Sequence, residues 1–104
     1  TFTADLAAGI IHLLSTGASW GTYGLSGEGP VVSWADVAKR VFELRGFSAD
    51  DVTPVSTEEY FAGKEGIAPR PLKSALDLSK IEATGFTPRD SMERLAEYVP
   101  TIEL

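Results

Sequence analysis

A small mixed α/β lobe, three main amphipathic helices with a few short strands, is the fold class this sequence predicts, and three observations predict it. Apolar residues recur at helical spacing in three stretches, near residues 4–16, 34–45 and 88–99, each bounded by capping residues, glycine or proline. Short extended runs near 20–27 and 52–55 lie between them, broken by glycine and proline. The length of 104 residues suits one domain, with room for a core but short for a complete α/β enzyme.

The elements follow in order. Thr3 is placed to cap a helix over about 4–16, which Gly17 ends. Leu6, Ile10, Leu13 and Leu14, widened by Ala7 and Ile11, form its apolar stripe. His12 falls almost opposite that stripe, on the side of Asp5, and reads as a solvated histidine near a carboxylate rather than a catalytic or metal-binding one. Next, Gly21, Gly24 and Gly27 stand at the G-x-x-G-x-x-G spacing of some dinucleotide-binding loops. A pyrophosphate loop needs an apolar strand before the glycines and a helix N-terminus directly after them. Here a loop precedes Gly21, and Glu28, Gly29 and Pro30 follow, so the stretch reads as a short strand and a turn.

Ser33 and Asp36 make a capping box for a helix over about 34–45. It buries Trp34, Val37, Ala38, Val41, Phe42 and Leu44 and keeps Asp36 with Arg40, and Lys39 with Glu43, as wet-side pairs until Gly46 stops it. Pro54 marks the 52–55 run as an edge strand. Ser56 and Glu59 repeat the capping box and open one or two turns through Tyr60 and Phe61. Tyr60 and Lys64 have the Tyr-x-x-x-Lys spacing that short-chain dehydrogenases use for proton transfer. That chemistry requires both groups on one face of a long helix beside a nicotinamide, and Gly63 and Gly66 break any such helix. The pair reads as loop. Near the end, Thr87 caps the last helix with Pro88 at its first position and Asp90 in its first turn. Met92, Leu95, Ala96 and Val99 form its stripe, and Pro100 ends it.

The chain is organised around residues 68–81. Pro69 and Pro71 flank Arg70 and deny the helical region to Ala68 and Arg70, so the guanidinium projects from a stiff extended segment. A short helix over 78–81, opened by Asp77 or Ser79, follows. Arg70 with Lys73 and Ser74 suits a phosphate or carboxylate, because the planar fork binds oxyanions in paired hydrogen bonds. Chemistry alone leaves a surface or ion-pairing arginine as the other reading.

A formal charge of −6 argues against nucleic acid or an anionic membrane as partner, since both need clustered cations. With no cysteine there is no disulfide framework, thiol chemistry or thiolate metal site, which accords with a reducing cytosol, and a cytoplasmic location is the expectation. Asparagine and glutamine are also absent, so polar recognition falls to hydroxyls, charges, tryptophan and the backbone. No apolar run reaches the ~20 residues of a membrane span, and no ligand spacing supports a metal, even at Glu58 and Glu59. Because Thr1 stands where a methionine would and the first residues run straight into a helix, the expectation is a piece of a longer protein.

The ordered set of blocks at residues 2–7, 21–23, 33–38 and 54–60, with Arg70-Pro71, Ser74-Ala75-Leu76-Asp77 and Lys80, resembles the C-terminal, substrate-binding part of the dTDP-4-dehydrorhamnose reductase family of extended short-chain dehydrogenases. The resemblance covers nearly the whole chain. It departs at Leu72-Lys73, where a small or amide residue is expected before the serine. What it implies is a lobe normally attached to an N-terminal Rossmann domain that binds NADPH and carries the catalytic hydroxyl, tyrosine and lysine, a domain expected to be absent from residues 1–104. The fragment alone is then inactive, with no catalytic, cofactor or metal residue of its own. The parent reduces dTDP-4-dehydro-L-rhamnose to dTDP-L-rhamnose, in some members fused to a 3,5-epimerase. The resemblance favours Arg70, and less strongly Lys73 and Ser74, as substrate-binding residues for a dTDP-sugar. Two alternatives share the scaffold: a non-catalytic regulatory or binding subunit, and another nucleotide-sugar epimerase or dehydrogenase. A lobe cut from such a protein is expected to expose an apolar patch on one side.

Overall fold

The computed structural model describes residues 1–103. Five helices carry the fold: α1 (Thr3–Ser15), α2 (Trp34–Leu44), α3 (Thr57–Phe61), α4 (Ser79–Glu82) and α5 (Ser91–Tyr98), with 3-10 turns at Ala49–Asp51 and Val99–Thr101. The expected strands near 20–27 and 52–55 are extended segments without a ladder. A strand forms only against another strand, and the single bridge among the described residues is a parallel one between Glu28 and Asp90. There the Glu28 N–H donates to the Arg89 carbonyl at 2.9 Å and the Ser91 N–H to the Glu28 carbonyl at 2.8 Å. The chain divides into two compact units. One consists of Thr1–Val31 and the chain from Ala75 onward, the other of Val32–Ser74.

The first unit holds α1, α4 and α5. Its fully buried side chains are Ile81, 0% exposed, and Val99, 2%, and Gly9 and Pro88 are buried as well. The face of α1 turned inward carries Asp5, Leu6, Gly9, His12 and Leu13. Leu25 packs where a Gly9 side chain would stand. The predicted stripe is therefore half right: Leu6 and Leu13 are covered, while Ala7, Ile10, Ile11 and Leu14 face outward. His12 corrects the expectation of a solvated side chain. Its Nε2 lies 3.0 Å from the Thr84 carbonyl and 3.1 Å from Thr84 Oγ1, and its ring meets Phe86 at 5.4 Å. Since a carbonyl only accepts, Nε2 donates, and His12 ties the end of α1 to the turn after α4.

Two caps also differ. Phe2, not Thr3, precedes α1, with no side-chain cap; its ring packs edge-on to Tyr98 at 5.5 Å, which fixes where the helix enters. Asp90 rather than Thr87 caps α5, accepting from the Met92 and Glu93 N–H groups at 2.9 and 3.0 Å. Pro88 is buried ahead of the helix, where it packs instead of opening a turn. Arg94 then joins α5 to α1, donating to Asp5 at 3.0 Å and to Glu97 at 3.0 Å, while Arg89 reaches Glu97 from its other side at 3.1 Å.

In the second unit both capping boxes form as read. Ser33 Oγ donates to the Asp36 carboxylate at 2.7 Å and accepts from the Asp36 N–H at 3.1 Å. At the start of α3 the Ser56 N–H donates to the Glu59 carboxylate at 2.9 Å and Ser56 Oγ accepts from the Glu59 N–H at 3.1 Å. Because Asp36 is engaged by its cap, the expected pairs on α2 give way to Arg40 with Glu43 at 3.2 Å. Phe42 packs against Phe47 at 6.0 Å between ring centres. Trp34 is a correction: it stands 88% exposed, because as the first residue of α2 it projects beyond the turn that would cover it.

Candidate functional site

Arg70 lies in an unbroken exposed run, residues 62–77, with no secondary structure before Ser79. Lys73 and Ser74 share that run. None of the three makes a hydrogen bond or ion pair with any described residue, so their donors are open to a ligand and the structure does not itself bring them together. The prolines on either side account for this, holding the backbone extended and removing two amide donors. Beyond them the chain is fastened again. The Asp77 carboxylate accepts from the Ser79 N–H at 2.9 Å, which starts α4, and hydrogen bonding from Ser79 holds that carboxyl below its ordinary range.

Lys80 is a residue the sequence reading did not single out. Its ammonium donates to the Thr22 carbonyl at 2.8 Å and sits 4.4 Å from the centre of the Tyr23 ring. A cation over an aromatic face while bonded to a carbonyl is a fastener for the extended 21–27 segment. The signal available for it was only its place in the resemblance, since its partners lie 58 residues away.

The glycine-rich stretch is packed against its own chain. A side chain at Gly24 would meet the Asp77 carbonyl oxygen at 2.8 Å, and one at Gly27 would meet Ser91 Cβ at 2.8 Å. The next helix begins only at Trp34. These residues do not fit the pyrophosphate of a dinucleotide, which needs free amides at a helix N-terminus. Tyr60 and Lys64 likewise form a local contact: α3 ends at Phe61, and the Lys64 ammonium lies 3.9 Å above the Tyr60 ring. The arrangement lacks the rigid helix that proton transfer between them would require. Among the described residues no group of three His, Asp or Glu side chains is placed to hold a metal ion, and no helix is long and apolar enough to cross a membrane.

The C-terminal half of α1 forms one wall of a shallow apolar cleft of about 360 Å³, lined by Ile10, Leu13, Leu14, Trp20 and Tyr23 among others. Trp20 is 98% exposed at its rim. This is the exposed apolar patch that the resemblance leads one to expect.

No curated protein and no solved structure matches the chain. One family does, the RmlD substrate binding domain, over residues 1–103. The match takes in every block of the resemblance and the proline-flanked arginine. The chain belongs to the RmlD substrate-binding domain family, the substrate-binding part of dTDP-4-dehydrorhamnose reductase-like proteins.

Proposed function

We infer that this chain is the sugar-nucleotide lobe of an NADPH-dependent reductase that converts dTDP-4-dehydro-L-rhamnose to dTDP-L-rhamnose. The observation that carries the reading is Arg70: a guanidinium held on stiff backbone, exposed and unpaired in a chain of net charge −6, within a substrate-binding family. An exposed arginine whose donors are not taken up by the protein's own carboxylates is free to bind an oxyanion. Arg70 grips the diphosphate in a two-toothed fashion, Lys73 adds a second positive charge, and the Ser74 hydroxyl donates to a further oxygen.

The lobe contributes binding rather than bond-making. Fixing the nucleotide end of the substrate spends no chemistry at the 4-keto carbon, but it holds that carbon in register for hydride transfer and helps exclude water. NADPH supplies the hydride and belongs to the parent's dinucleotide domain. Accordingly the chain alone is inactive.

A two-dimensional amide NMR titration with dTDP, alongside UDP and NADPH, tests this. Shifts centred on residues 70–74 are expected with dTDP, absent with NADPH, and weakened about ten-fold or more in affinity by Arg70→Ala, the effect of losing a charge-assisted hydrogen bond. Shifts that stay unchanged in Arg70→Ala would remove Arg70 from the site. Equal response to UDP would transfer the lobe to another nucleotide-sugar enzyme, and no response to any nucleotide in a folded chain would favour a binding subunit.

A further inference from the structure

We propose that residues 62–74 form a strap that is open in the free chain and orders over a phosphate-bearing ligand, with Gly63 and Gly66 as its hinges. The proposal rests on the anion-binding reading of Arg70 and adds a motion to it.

Both ends of the segment are fastened. At the start, Phe61 is half-buried at the end of α3, and Tyr60 meets Phe61 edge-on at 5.0 Å. Past the far end, Leu76 and Asp77 lie against Gly24. Between these anchors every residue is exposed. After the Lys64 N–H donates to the Phe61 carbonyl, no backbone amide up to residue 78 donates to another backbone carbonyl among the described residues. Exposed backbone without internal hydrogen bonds and without buried side chains is the physical description of a segment that opens at almost no cost.

Leu72 is 89% exposed and Ile67 43%, so the strap carries apolar groups with nothing over them. It also carries Lys64, Arg70 and Lys73 against the single acid Glu65, an excess of positive charge within an acidic chain. Charge that needs an anion and apolar side chains that need cover are satisfied together if the segment closes on a ligand that presents both phosphate and a ring. Lys64 is held in reserve over the Tyr60 ring, a contact that forfeits little when the ammonium turns to a phosphate.

The hinges are placed for it. Gly63 and Gly66 sit at φ 73° and 72°, with no atom near where a side chain would stand. They are therefore glycine for backbone freedom and not for packing. Downstream, Pro69 and Pro71 keep the charged part stiff, so the freedom of the strap is concentrated at its glycine end.

Limited trypsin digestion reads the motion directly, because trypsin cuts after Lys64 and Lys73 but not at Arg70, which precedes proline. The free chain is expected to be cut first at Lys64 and Lys73, ahead of Lys39 and Arg40 inside α2 and Arg94 inside α5. With dTDP at ten times its dissociation constant, cleavage at both strap sites should slow about ten-fold, and backbone heteronuclear NOE values over residues 64–74 should rise, while thymidine, which lacks the diphosphate, should do neither. Early cleavage inside the helices instead of the strap would overturn the proposal without ligand. Amide shifts at Arg70 with no change in cleavage or NOE would overturn the strap and leave the anion site standing. Absence of any dTDP response would overturn both.

Discussion

A methyl group added at Gly24 would sit 2.8 Å from the Asp77 carbonyl oxygen, with backbone on both sides of the contact and no flexible side chain to yield. Gly24→Ala is expected to destabilise the fold by about 1–3 kcal/mol, seen as a lower midpoint in denaturant unfolding. A dinucleotide loop would behave otherwise, losing cofactor affinity and keeping its stability. The same scale shows what the sequence could and could not disclose. Ser33 with Asp36 and Ser56 with Glu59 were legible because a capping box is closed within four residues. His12 was not, because what holds it, Thr84 and Phe86, lies more than seventy residues on. The segment Thr87-Pro88-Arg89-Asp90 reads locally as capped by Thr87, whereas Asp90 takes the cap beside the bridge from Glu28 to Arg89 and Ser91. Arg70, Lys73 and Ser74 read as oxyanion-binding chemistry in the sequence, and the fold leaves all three exposed without joining them.

Among the elements, α2 and α3 have no fully buried residue and each opens on a complete capping box. Ser33→Ala should cost about 1 kcal/mol, measurable as a fall in melting temperature, with α2 amides exchanging faster. Both boxes also make the fold sensitive to acid. The Ser33 hydroxyl, then the Ser33 N–H, hold the Asp36 carboxyl below its ordinary value of 3.8, and the Ser56 N–H, then its hydroxyl, hold Glu59 below 4.5. A carboxyl depressed by folding stabilises the native state above its unfolded value, and that contribution is lost as the pH falls through the folded value. Melting temperature should therefore be level in pH around neutrality and decline below about pH 4.5, with the decline smaller in Ser33→Ala and smaller again in the double Ser33→Ala, Ser56→Ala variant. A decline of the same size in all three would remove the caps as its cause. The exposed half of the α1 stripe belongs to this scale too: periodicity located an apolar helix face correctly, but not which part of it this chain covers.

For the molecule as a whole, charge and burial are unequally divided. The unit made of Thr1–Val31 and the chain from Ala75 holds eight of the acidic side chains against three lysines and arginines, and the Val32–Ser74 unit is close to neutral. Every fully buried residue lies in the first unit and none in the second. Native-state hydrogen exchange should then find α2 opening more readily than α1 and α5, since opening free energy follows buried apolar contact. Uniform protection across both units would show that they open together. The unit that carries Arg70 is also continuous in sequence, entered after Val31 and left at Ser74, whereas the other is closed by bringing early and late parts of the chain together. Such a layout makes the Val32–Ser74 unit an insert, a cassette that can be exchanged for another of different length while Gly24 still meets Asp77 and Asp5 still meets Arg94. Redesign by grafting therefore has one pair of junctions, residues 31–32 and 74–75.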